Sequence, residues 1–157
     1  MRRFAVVAAV LVTGCGGESN PVAPSPSPDL PRAALVVSVN AEPVAAGASP
    51  ATHLARWAVV IRETAGVGGG VNFLNAMIRD ADSGADPDPG GLLNIDASLV
   101  AARAGSNRVP AGGSLTVPES LEFALPAGGT KIVIRVAVQV TDDNGHVVTG
   151  TGEAETR

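Results

Sequence analysis

The sequence is poor in cysteine and in aromatic residues, with one Cys, one Trp, three Phe and no Tyr among its 157 residues. A single cysteine excludes an internal disulfide. Scarce rings without a basic patch beside them are atypical of the stacking platforms that bind nucleic-acid bases. Acidic residues also exceed basic ones, with 15 Asp and Glu against 11 Lys and Arg. We therefore expect no nucleic-acid partner.

The N terminus lacks an apolar run long enough to cross a bilayer, which takes about 20 residues. Its short apolar run, residues 4–12, follows the basic Arg2 and Arg3 and precedes the small residue Gly14. A basic start, an apolar segment and a small residue before a cleavage point are typical of an export signal. We expect residues 1–14 to be a signal peptide that is removed.

The single cysteine lies directly after that segment, in the stretch Val12, Thr13, Gly14, Cys15. This stretch resembles the lipobox of bacterial lipoproteins. The resemblance implies that Cys15 carries diacylglycerol, becomes the new N-terminus and is then usually acylated on its amine. Two or three acyl chains suffice for stable membrane attachment. Gly16 stands where an inner-membrane retention aspartate would be, which favours the outer membrane in a cell that has one. The alternatives are an ordinary secretory signal with an incidental cysteine and a small buried thiol.

Residues 15–32 form a proline-rich stretch after the cysteine, with Pro21, Pro24, Pro26, Pro28 and Pro31 among small and polar residues. Such composition favours extended polyproline conformations at about 3 Å per residue. We predict a lipidated cysteine followed by a tether that holds a folded domain away from the membrane.

Residues 33–157 are long enough for one domain with a core of its own. Apolar residues alternate with polar ones, most clearly at Ile132, Ile134, Val136, Val138 and Val140, and Asn144-Gly145 then signals a hairpin. Similar alternation occurs at 35–39, 57–61, 93–99 and 115–125, and Val147, Val148 and Thr149 after the hairpin belong to a final strand. Residues 73–79 also fit a helical face, but the glycine- and aspartate-rich flanks favour a strand.

About seven strands separated by turn residues predict an all-β fold, an antiparallel sandwich. The region resembles immunoglobulin-like or fibronectin type III-like domains of bacterial surface proteins. Trp57 is expected to pack in the core without a functional role.

Few residues are arranged for chemistry. Neither His53 nor His146 has a cysteine or a suitably spaced carboxylate beside it, so both are interpreted as solvated. Proline follows Ser49, in a segment that lacks the second glycine of a nucleophile elbow. We expect neither catalytic activity nor a cofactor.

One acidic loop, residues 80–91, carries Asp80, Asp82, Asp86 and Asp88. Carboxylates at alternate loop positions can converge on calcium, but the register departs from an EF-hand and two prolines restrict the loop. We interpret it as a solvated acidic loop, with a calcium site as the alternative, and expect no bound metal.

These features together predict a lipid-anchored β-sandwich of the cell envelope that binds or scaffolds another envelope protein or polymer. An alternative is an enzyme-regulating module, such as a protease inhibitor that inserts loop 80–91 or 105–114 into a cleft. An enzyme with an unrecognised carboxylate site is a third hypothesis.

Overall fold

The computed structural model describes residues 29–125 and 131–156. Cys15, the predicted signal peptide and most of the predicted tether lie outside the described residues. In the described part the chain forms β1 (Leu35–Ala41), β2 (Ala45–Ala46), β3 (His53–Glu63), β4 (Gly69–Asp80), β5 (Leu92–Asp96), α1 (Ala97–Ala104), β6 (Arg108–Val109), β7 (Ser114–Phe123), β8 (Ile132–Asp142) and β9 (Val147–Glu155).

The strands form two antiparallel sheets, which confirms the predicted all-β sandwich. In sheet A, β3 pairs with β7 on one side and with β1 and β2 on the other. Sheet B has the order β5, β4, β8, β9, and the short β6 shares the β5 side of β4. Of the strands longer than two residues, the first, second and fifth lie in sheet A, and the third, sixth and seventh in sheet B. Immunoglobulin-like sandwiches divide their strands in this way, although here the fourth strand has joined sheet B.

The core lies between the sheets, where the period-two alternation places its apolar residues. The five alternating apolar residues of β8, from Ile132 to Val140, are all buried, and Trp57, Val59 and Ile61 of β3 are buried opposite them in sheet A. The packing position predicted for Trp57 is therefore confirmed, with 3% of the residue exposed.

Residues 73–79 belong to β4, so the strand interpretation is confirmed. The register with β8 shifts between Val71 and Phe73, which leaves Asn72 as an extra residue in a bulge. After the bulge, Leu74 and Ile78 are fully buried, whereas Phe73 and Met77 are about 36% and 40% exposed. The bulge thus sets which side chains β4 presents to solvent.

The strand predicted over residues 93–99 is only partly correct, because β5 ends at Asp96 and a helix follows. The Asp96 carboxylate accepts hydrogen bonds from the backbone N–H of Ser98 and of Leu99, both at 2.9 Å. Such an N-cap satisfies donors that a helix start leaves free. Alanine-rich α1 then ends at Gly105, whose φ of 77° suits a helix C-terminus.

Different elements cover the two lateral edges of the sandwich, where sheet A meets sheet B. On one side, β1 of sheet A packs against β9 of sheet B, where a Cβ on Gly152 would lie 2.8 Å from the Val37 carbonyl oxygen. Glycine is therefore required for this approach. On the other side, α1 packs against β7 and β4 with Val100 fully buried.

A buried carboxylate, Glu63 at the end of β3, ties together three separate segments. It accepts backbone N–H hydrogen bonds from Ala34, from Gly112, and from the three consecutive residues 65–67, over 2.6–3.2 Å. Burial alone would raise the pKa of Glu63, but these N–H donors, Gly112 foremost, outweigh it and lower the pKa to about 2.

A second buried carboxylate, Asp142, fixes the point where the chain enters the domain. It accepts hydrogen bonds from the backbone N–H of Ala33 at 3.0 Å and of His146 at 2.8 Å. Asn144 of the same hairpin donates its side-chain amide to the Pro31 carbonyl at 2.6 Å. Residues 31–34 are therefore held at the end of the sandwich that carries the β8–β9 hairpin.

Candidate functional site

The outer face of sheet B is the candidate functional surface, and the strand register builds it in rows. One row contains Leu92, Met77, Arg135 and Glu153, and the next contains Asn94, Asn75, Ala137 and Thr151. All of these side chains are exposed or half-buried. We refer to these two rows as the sheet B face.

A hollow of about 680 Å³ lies on this face. Its lining comprises Asn75, Met77, Leu92, Arg135, Val136, Ala137, Thr151, Gly152 and Glu153. Ala137 is flanked along β8 by the longer side chains Arg135 and Gln139, so its small side chain leaves the depression between them. The lining offers amide and hydroxyl groups beside a thioether and an aliphatic chain, a combination suited to binding a partially apolar ligand.

Exposed apolar side chains concentrate on sheet B. Phe73, Met77 and Leu92 all point outward from this sheet, and Leu92 is 57% exposed. On the outer face of sheet A, Val36 is the exposed large apolar residue among those described. Clustered exposed apolar residues mark interaction sites more often than scattered ones do.

One ion pair lies in the hollow, and another lies beside Met77, one of the residues that line it. Arg135 Nε lies 2.6 Å from a carboxylate oxygen of Glu153, and Arg79 Nε lies 3.5 Å from one of Asp86. All four side chains are about half or more exposed, so each pair contributes little to stability. Their charges remain accessible to a partner.

The structure does not gather the four aspartates of loop 80–91 around one point. The Asp80 carboxylate accepts hydrogen bonds from the N–H of Asp82 and from the N–H and hydroxyl of Ser83. These bonds, that of the Ser83 N–H first, lower the pKa of Asp80. Asp86 contacts Arg79, and the Asp88 backbone pairs with Ala124. No group of three or more His, Cys, Asp or Glu suited to a metal occurs in residues 29–125 and 131–156.

The two histidines lie in different settings, and both are less solvated than predicted. His53 packs against Phe123 with their ring centroids 5.9 Å apart. His146 Nδ1 lies 3.3 Å from an oxygen of Asp142. Both contacts belong to the packing at strand ends and are remote from the sheet B face.

A buried polar group that the sequence analysis missed lies beneath α1. The side chain of Glu119 on β7 is 1% exposed, and it pairs with Arg103 from the last turn of α1. Trp57 stands directly opposite Glu119 in the β3–β7 register. Glu119 Oε1 and Trp57 Nε1 are buried without a hydrogen-bond partner among the described atoms. The pair with Arg103 fastens α1 to sheet A.

The two loops considered for protease inhibition, 80–91 and 105–114, are both held in place by hydrogen bonds to the rest of the domain. Loop 80–91 is fixed by Asp80, as described above. In the 105–114 segment, β6 pairs with Gly69 and Gly70, and the Gly112 N–H bonds to Glu63. Neither loop projects as a long unsupported arm from the described part of the chain.

Two solved structures share this fold at low sequence identity. The structure of Northeast Structural Genomics Consortium target SoR45 is 12% identical, with a TM-score of 0.57, over 77% of this chain and 84% of that one. A protein of Bordetella pertussis assigned as ApaA is 16% identical, with a TM-score of 0.53, over 79% of this chain and 93% of that one. Both similarities concern the fold alone.

No protein-family model matches the sequence, and no curated protein matches it either. In the part of the chain that the structure describes, no helix is both long and apolar enough to span a membrane.

The sequence alone indicates some residues of the sheet B face, but it does not indicate the hollow. Alternation identifies Met77 and Arg135 as residues of the face opposite the core. The hollow forms because Ala137 of β8 lies opposite Asn75 of β4, and the pairing register of the two strands brings these residues together. A single sequence does not reveal that register.

Proposed function

We propose that this protein is a lipid-anchored binding module of the cell envelope, which holds another envelope protein through the sheet B face. The anchor is supported by the lipobox resemblance around Cys15 and by the proline-rich residues that follow. The binding role is supported by the exposed apolar side chains and the hollow at Met77 and Leu92.

The position of the chain entrance carries this proposal. Residues 31–34 are fixed beside Asp142 and Asn144, at the hairpin end of β8. Arg135, at the hollow, precedes Asp142 by seven residues, or about 23 Å of strand at about 3.3 Å per residue. A tether that enters at the hairpin end leaves the hollow on the part of the domain turned away from the membrane.

The binding role is tested by photo-crosslinking in the native envelope. With a photoreactive amino acid in place of Met77, we expect one discrete cross-linked protein, because Met77 borders the hollow. Ala137→Arg should remove most of that product, since the longer side chain fills the depression. Val36→Arg, at an exposed position on sheet A, is the matched control and should leave the product unchanged.

A photoreactive group in place of Ser38, on the outer face of sheet A, is the negative control and should not give this cross-linked product. Equal products from positions 38 and 77, or a product from position 77 that survives Ala137→Arg, would contradict binding through the sheet B face.

A further inference from the structure

We propose that the outer edge of β5 binds an extended polypeptide segment of the partner, which adds a strand to sheet B. This inference rests on the proposed binding function and names its site and the form of the partner. Among the described strands longer than two residues, β5 has an edge that faces no other strand, and its helix contacts are with α1, which follows it directly in the chain.

The other edges are closed to an added strand. Those of β1 and β9 face each other, with the Val37 carbonyl against Gly152. The edge of β7 contains Pro118, which has no N–H to donate, and α1 packs against that strand. Such devices keep sheet edges from pairing with other chains. The β5 sequence, Leu-Leu-Asn-Ile-Asp, contains no proline, lysine or arginine.

The backbone groups of β5 are oriented for strand addition. The Ile78 N–H donates to the Gly91 carbonyl at 2.7 Å, and Met77 stands opposite Leu92 in the register. Hydrogen-bonded pairs alternate along an antiparallel ladder, so the N–H and C=O groups of Leu92 and Asn94 point away from β4. A strand laid along this edge therefore finds donors and acceptors at the spacing that it needs.

Side chains beside the edge define the chemistry of the segment. A hollow of about 420 Å³ at Leu92, lined also by Met77, Arg79, Asp86, Gly90 and Gly91, has room for an apolar side chain. The uncharged stretch of β5 lies between the exposed Asp88 on one side and Asp96 on the other. Charge complementarity thus favours a segment with an apolar, β-forming centre and lysine or arginine on both sides.

The test uses a synthetic peptide of alternating Val and Thr flanked by two lysines at each end. It is titrated onto the full chain in detergent, with hydrogen exchange followed by mass spectrometry. We expect saturable binding with slower exchange in the segment that contains Leu92 and Asn94. Asn94→Pro removes one outward N–H and should weaken binding about tenfold, the effect of one hydrogen bond. Asn94→Ala removes the same side chain but keeps that N–H, so the tenfold difference is measured between Asn94→Pro and Asn94→Ala.

Asp88→Lys provides an arm that leaves β5 intact. It should weaken the lysine-flanked peptide and not the same peptide with serine flanks. Thermal unfolding verifies that each variant is folded.

Four outcomes would overturn this proposal. The first two are that the peptide shows no saturable binding, or that it slows exchange elsewhere in the sheet and not in β5. The other two are that folded Asn94→Pro binds the peptide as tightly as the unchanged protein does, or that the chain self-associates through β5. The proposed function is measured separately, through the cross-link from position 77 and its loss in Ala137→Arg.

Discussion

Glu63→Gln is expected to lower the free energy of unfolding by about 3 kcal/mol, since hydrogen bonds to charged groups contribute about 1.5–3 kcal/mol each. The variant loses the charge that five backbone N–H groups share, and its own amide N–H₂ then faces some of those donors. Chemical denaturation followed by circular dichroism measures the difference. Glu42→Gln, at an exposed position, is the control and should unfold like the unchanged protein.

The same carboxylate predicts how stability depends on pH. Its pKa is about 2 in the folded protein against 4.5 as a reference, so the folded state binds its proton less readily than the unfolded chain. The stabilisation is therefore complete above about pH 4.5 and decreases as the pH falls toward 2. Lowered pKa values of Asp80 and Asp142 act in the same direction. Glu63→Gln should flatten the slope over this range, and an unchanged slope would contradict the role given to Glu63.

Gly91→Ala is expected to detach β5 from sheet B, the second large effect. A Cβ on Gly91 would lie 2.0 Å from the Ile78 carbonyl oxygen, far inside any tolerable contact. The backbone must shift to relieve that overlap, at a cost of about 1–3 kcal/mol or more. Hydrogen exchange should then show lost protection in β5 while the β4–β8 pairing is retained.

The neighbouring glycine makes a matched control for this substitution. A Cβ on Gly90 would have no atom within 4 Å, so Gly90→Ala should leave both stability and exchange unchanged. Equal behaviour of the two variants would contradict the described course of the chain into β5.

The apolar pattern of the sequence was sufficient to predict the β-sandwich, but it did not predict the helix α1 that covers one of its edges. Period-two alternation in β8 is strong because every second residue must enter the core. Ala97 and Leu99 continue the alternation of β5 by coincidence. These residues form a helix because Asp96 caps its start and because the segment is rich in alanine. Asp96 before an alanine-rich run that ends at Gly105 was a readable helix signal.

The buried carboxylates were not predictable from the sequence. Glu63 and Asp142 occupy strand-end positions where acidic residues are normally solvated. Their role depends on N–H groups delivered by distant segments, such as Ala33 from 109 positions earlier in the chain. Likewise, the candidate site is formed by residues of four strands, and only the register of sheet B brings them together.

The anchor at Cys15 is the central claim, and the intact mass of the mature protein from its native membrane tests it most directly. We predict a chain that begins at Cys15 and carries diacylglycerol, together with transfer of a Cys15→Ser variant out of the detergent phase. A mature chain that begins elsewhere, or one with an unmodified Cys15, would contradict the lipid-anchored account.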